Sequence, residues 1–227
     1  MAPIKKIIRF VLSIILLALL IYGIVLAAGR WDWIELWIIL ATYLIVFSCW
    51  TLYLKLKNPE LLHERATAFK KGKKWDRILI SIYWVLILVF MFTAALDAGR
   101  FQNFNIPVSI KILCYMGILA SYALAFWCGM SNKYMSSFVR IQKDRDHKVS
   151  QSGPYRFVRH PLYISDIAFY PLVSFFLGSL WALVPAALIM AVFVIRTYLE
   201  DNTLKKELGG YLEYSKKVKY RLLPYVW

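Results

Sequence analysis

The residues with chemistry to offer lie in two polar stretches separated by a long apolar one. The first is His147–Tyr163, HKVSQSGPYRFVRHPLY, where Gly, Pro, Tyr, Arg and His crowd together without helical or strand periodicity. The second is Arg196, Glu200 and Asp201, which close a run, Trp181–Ile195, that carries no charged side chain. Pro161 suits the first position of a helix, where its missing N–H is no loss. The N–H groups of that first turn then face the preceding loop and favour an anionic partner. Gly153-Pro154 marks a turn just upstream. Tyr155 and Phe157 offer flat surfaces, and Arg156 and Arg159 offer charge. Together these could hold a ligand with an aromatic ring and a carboxylate or phosphate. Arg and Tyr at the end of a membrane span are also ordinary interface anchors, and composition leaves the two readings level. His160 alone is more often a hydrogen-bonded interface residue than a catalyst.

Arg196 and Glu200 are four apart and share a helix face. A charge inside a membrane costs about 2.5–3.5 kcal/mol even on a lenient insertion scale. Arg196 avoids that by snorkelling, by pairing with Glu200, or by facing a polar cavity. Asp166 lies one turn into the apolar stretch with no local cation. It is expected to face the same cavity or to be protonated.

The elements that must position these groups are membrane spans. Of 227 residues 60% are hydrophobic and 18% charged, where a soluble domain carries about 25% charge. Residues 7–28, 34–54, 78–96 and 108–130 are apolar runs suited to crossing ~30 Å of hydrocarbon as helix. The first is longer than the ~7–15-residue apolar core of a signal peptide and reads as a retained helix. Residues 161–199 form a further apolar stretch, broken at Phe176–Ser179, that reads as a helical hairpin whose first leg need not span fully. Pro171 and Pro185 are expected to kink its two legs. The fold class is therefore an all-α integral membrane protein with about five to six transmembrane helices, the C-terminal hairpin included. A division into four spans over 1–130 and a catalytic region over 131–227 follows.

The net charge of +15 does not point to nucleic acid. Of 28 Lys and Arg, 25 fall at the N-terminus (Lys5 and Lys6 among them), 55–77, 133–159 and 196–221. The turns between hold Arg30 and Arg100, each accompanied by an Asp. That positive-inside pattern puts both termini and both long loops in the cytoplasm. The loop at 55–77 reads as solvated, with a short amphipathic helix at most. In the fourth span Gly117, Ser121, Ala125 and Gly129 form a small-residue stripe for close helix packing within the chain. Cys49, Cys114 and Cys128 lie in apolar runs and read as small hydrophobes. His63, His147 and His160 are not set at metal-ligand spacing, so no metal is expected.

The pattern H-x-V-x-x-x-G-x-Y-x-x-x-R-H-P-x-Y, a hydrophobic hairpin, R-x-x-x-E, and a closing Y-x-x-Y-x-x-x-V-x-x-x-x-x-P resembles the isoprenylcysteine carboxyl methyltransferase family, to which phospholipid N-methyltransferases are related. The resemblance covers roughly residues 130–227. It implies a cytoplasm-facing site for S-adenosylmethionine and lateral access from the bilayer for a lipid-like acceptor. By position, the cofactor contacts are His147, Lys148, Val149, Ser150, Tyr155, His160, Pro161, Leu162, Tyr163 and Glu200. Arg196 falls where the family binds the acceptor carboxylate. The host membrane is the cell membrane of a prokaryote or the endoplasmic reticulum of a eukaryote. Ser165 stands where the family often has Gly, Asp201 replaces a second Glu, and Asp166 leans toward the related NADPH-dependent sterol reductases. Leu162 and His160 lean back. The leading expectation is a carboxylate acceptor; the alternatives are a phospholipid amine, a reductase, and, last, a non-enzymatic scaffold.

Overall fold

The structure is a computed structural model that describes residues 2–227, with side chains at Ile8 and from Val11 onward except at Ala66. It is 75% helical, and no strand occurs among the described residues. Helix α1 (Ala2–Ala28) ends at Gly29, whose φ of +68° lets the chain turn into α2 (Ile34–Lys57). Helix α3 (Pro59–Lys71) has proline at its first position and is capped by the Asn58 side chain, which accepts the Leu61 N–H at 3.1 Å. Helix α4 (Lys74–Ala94) runs on into a π-helical stretch, Ala95–Phe101, and α5 covers Val108–Ser131. The hairpin is α6 (Pro161–Leu177) and α7 (Leu183–Glu207), and a short α8 (Tyr211–Lys217) follows.

Five of these helices, α1, α2, α4 with its π extension, α5 and α7, are long and apolar enough to cross a membrane. With 17 residues α6 reaches only ~26 Å at 1.5 Å per residue, a few ångströms short of the hydrocarbon core. Its apolar surface packs on α5 and α7 instead. Pro171 lies inside a continuous α6, while Pro185 falls in the first turn of α7, where it removes no helical hydrogen bond. The expected kink in the second leg is therefore absent as a helix break.

The small-residue stripe serves packing inside the chain. A Cβ on Gly117 would lie 2.9 Å from the Leu172 side chain on α6, and one on Gly129 would lie 2.1 Å from the Trp50 ring on α2.

The two ends of the bundle differ in kind. At one end the short turns are tied together: Arg100 donates to the carbonyls of Leu26 and Ala27, and Lys111 pairs with Glu35 at 2.5 Å. There, too, the buried Asp97 accepts from Asn103, from the Ser179 hydroxyl and from the Trp181 N–H. The other end gathers α3, residues 132–160, the end of α7 and the C-terminal tail. Lys5 and Lys6, expected at this basic end, lie outside the described side chains. The 55–77 segment carries the short helix allowed for it, α3, and is mostly exposed or half-buried. Leu61, Glu64 and Ala68 are nevertheless buried where α3 meets residues 134–140, and Asp76 on α4 is buried against Val139 and Arg196.

Candidate functional site

Residues 132–150 have no long helix and are held by side chains. Val139 donates its N–H to Asp76 Oδ2 at 2.6 Å, and Arg140 forks onto Glu64 with two contacts of 2.7 Å. That pairing with Arg140 holds the Glu64 carboxyl below its ordinary range despite the opposing effect of burial. The fully buried Gln142 bridges the Tyr134 carbonyl (2.6 Å) and Arg145 (2.6 Å). His147 stacks against Tyr134 with ring centroids 4.5 Å apart, and its Nδ1 accepts the Gln142 N–H at 3.3 Å. Burial, with Arg140 and Arg145 nearby, pushes its pKa down to about 4, so the ring is neutral at physiological pH.

The opposite wall is the start of α6, fastened to the tail. Arg159 and His160 donate their N–H groups to the carbonyls of Tyr220 and Arg221. Asp201, fully buried, organises this wall. It accepts from Arg159 Nε at 2.7 Å, Lys205 at 2.9 Å, Arg221 Nε at 3.0 Å and the Tyr211 hydroxyl at 3.0 Å. Three cations around one carboxylate lock α7 to the α6 start and to the tail.

Between the walls lies a pocket with about 800 Å³ of space not filled by protein, counting the part open to solvent. Its lining includes His147, Lys148, Val149, Ser150, Tyr155, His160, Leu162, Tyr163, Arg196 and Glu200. Two regions of sequence are thus brought to one place. Glu200 does not pair with Arg196; it takes the hydroxyl of Tyr163, whose ring lies parallel to that of His160. Tyr155 is buried, which pushes its phenol above the ordinary range, and its oxygen accepts from Asn132 at 3.3 Å.

Arg196 pairs across the bundle. Its Nε and Nη2 reach the two oxygens of Asp76 at 2.7 and 3.1 Å, and Nη2 also reaches the Ser137 carbonyl at 3.0 Å. The guanidinium that was expected to hold an acceptor carboxylate already faces one. Arg196 is also one of five residues, with Met135, Ser136, Phe138 and Leu162, that line both this pocket and a second cavity. This larger space, about 1430 Å³ with its open part, lies between α2, α3, α4, α5, α6 and α7 and is walled by aromatic rings. Asp166 lines this second cavity rather than the first.

Some expected contributors lie elsewhere. Arg156 and Phe157 are exposed, because the short 3-10 turn at Gly153–Arg156 points them outward. Arg159 does line the pocket, but its guanidinium is already taken by Asp201 and by the carbonyls of Val218 and Lys219. Pro161 is buried and starts α6 without lining the pocket. Tyr211 and Tyr214, the tyrosines of the closing Y-x-x-Y motif, line the pocket too, while Asn132, Tyr134, Arg140 and Asp76 were not singled out in the sequence. The only available signal was the mixture of acidic residues within otherwise basic segments.

Residues 109–210 match the family model of phospholipid methyltransferases, a family that includes isoprenylcysteine carboxyl methyltransferase-like proteins. The match covers somewhat under half of the chain: α5, the 132–160 segment and the hairpin, ending just before α8. It agrees with the resemblance carried by the HPLY and R-x-x-x-E motifs, and the matched family is one of membrane methyltransferases. No curated protein matches the chain.

Proposed function

We propose that the protein is a membrane methyltransferase that uses S-adenosylmethionine in the pocket between residues 147–163 and Glu200, and methylates a lipid-like acceptor that enters the aromatic cavity from the bilayer. The observation that carries the reading is the meeting of the two spaces along one strip, Met135, Ser136, Phe138, Leu162 and Arg196. One space opens at the polar end and the other lies among the spans, so a water-soluble and a lipid-soluble ligand can reach a common boundary.

The pocket fits the cofactor by its donor set. Among the described residues, no cation pairs with Glu200, and Tyr163 fixes its carboxylate. A half-buried carboxylate so placed would accept hydrogen bonds from ribose hydroxyls or an amino group. Tyr155, His160 and Tyr163 supply ring surfaces, and His147 stays uncharged beside a cationic ligand. When bound, S-adenosylmethionine supplies a methyl group activated by a positively charged sulfur. The protein's part is then alignment and exclusion of water, which place the acceptor atom within reach. The pocket opens at the end that carries the basic segments, which the positive-inside rule puts in the cytoplasm.

Calorimetry on detergent-purified protein tests this reading. S-adenosylhomocysteine should bind, and Glu200→Ala should weaken binding on the order of tenfold or more, the loss of a hydrogen bond to a charged group. Folded wild-type protein that binds no S-adenosylhomocysteine would refute it.

A further inference from the structure

We propose that Asp166 and Arg65 read the acceptor in the aromatic cavity: Asp166 takes a proton from an amine acceptor, and Arg65 holds an anionic group of the same molecule. This rests on the methyltransferase reading, but the residues are argued from the cavity alone. Arg65 stands on α3, outside the matched segment 109–210.

Three charged side chains line the cavity: Arg65, Asp166 and Arg196. Arg196 is neutralised by its two-point contact with Asp76. Among the described residues Asp166 has no hydrogen-bond or ion-pair partner, and Arg65 has one, the Met135 carbonyl at 3.3 Å. Every other carboxylate at this end of the bundle near α3 is engaged: Glu64 by Arg140 and Lys71, and Asp76 by Arg196 and Val139. An unpartnered carboxyl group and an unpartnered guanidinium therefore face one apolar, aromatic-walled space. Isolated charges in such surroundings are costly unless a ligand completes them. The ligand that completes both carries a protonated amine and an anionic group on an apolar body. The buried Ser136 hydroxyl, which has no hydrogen-bond partner, sits on the strip shared with the cofactor pocket.

The chemistry assigns Asp166 its task. An ammonium nitrogen has no lone pair and cannot accept a methyl group. Transfer of one proton to the Asp166 carboxylate leaves a neutral amine and a neutral carboxylic acid, and it frees the lone pair that methylation needs. The acid later returns its proton to water. A carboxylate acceptor needs no such base, and Asp166 would repel it.

Native mass spectrometry of the protein in detergent, with short-chain lipids as probes, decides the matter without turnover. Wild-type protein should bind phosphatidylethanolamine about tenfold more tightly than its N-acetyl derivative, which has the phosphate but no basic nitrogen. Asp166→Asn should abolish that preference, and Arg65→Gln should weaken both lipids by about tenfold. Equal binding of the two lipids to wild type, or a preference that survives in Asp166→Asn, overturns the Asp166 assignment. Unchanged lipid affinities in Arg65→Gln overturn the Arg65 assignment. S-adenosylhomocysteine binding by each variant reports that it is folded. Its failure to bind the wild type would refute the methyltransferase reading, while the lipid comparison would still judge the two residues.

Discussion

Removing Asp76 should destabilise the protein more than any neighbouring substitution on α4, because it strands Arg196. Asp76 is fully buried and Arg196 only 6% exposed. Breaking a buried pair by deleting one partner costs about 3–5 kcal/mol, since the remaining charge stays in a poor solvent. Asp76→Ala also leaves the Val139 N–H without its acceptor and loosens residues 137–140. In a chain of this size each kcal/mol corresponds to roughly 2–4 °C, so the melting temperature in detergent should fall by about 6–20 °C. Asp76→Asn keeps an oxygen for Val139 and should fall by less. The sharper test is a double-mutant cycle with Arg196→Met. Asp76→Leu combined with Arg196→Met removes both charges and fills the space with apolar atoms, which should recover most of the loss. An Asp76→Ala variant that melts within ~2 °C of wild type, together with strict additivity in the cycle, would refute the claim that these residues stabilise each other.

His147 should make the site acid-sensitive. Its pKa is about 4 in the folded protein and about 6.5 unfolded, so between these values the unfolded chain holds the extra proton. Stability from this group is complete above pH ~6.5 and is lost as the pH falls toward 4; His147→Phe, which keeps a ring on Tyr134, should flatten that part of the melting-temperature profile. Gly129→Ala should destabilise by ~1–3 kcal/mol through contact with Trp50, read by thermal unfolding. Asp201→Asn weakens the restraint on Arg159, Arg221 and Lys205 together, and should raise proteolytic cleavage in the C-terminal tail while lowering the melting temperature.

The spans and the hairpin were legible because hydropathy and charge-poor turns report directly on residence in lipid. The site was legible in part. His147–Tyr163 and Glu200 stood out as polar residues beside apolar runs, and they do line one pocket. Three things were hidden. Arg196 has a carboxylate four residues away in sequence, yet its partner Asp76 is 120 positions off, and no local pattern marks such a pairing. The acidic residues of α3 and α4 were masked by the more numerous lysines and arginines around them, so the buried Glu64 and Asp76 looked solvated. Arg156 and Phe157 looked like ligand contacts because composition does not tell which way a one-turn 3-10 helix aims its side chains.

The shared strip between the two spaces has a kinetic consequence. On the proposed reading, one ligand is counted by its molarity in water and the other by its mole fraction in the lipid or detergent phase. Diluting the acceptor with inert detergent at fixed total acceptor should raise its apparent KM in proportion, while the KM for the aqueous ligand stays put. Turnover in such a protein follows the crowding of the acceptor in its two-dimensional phase, so membrane composition itself sets the rate.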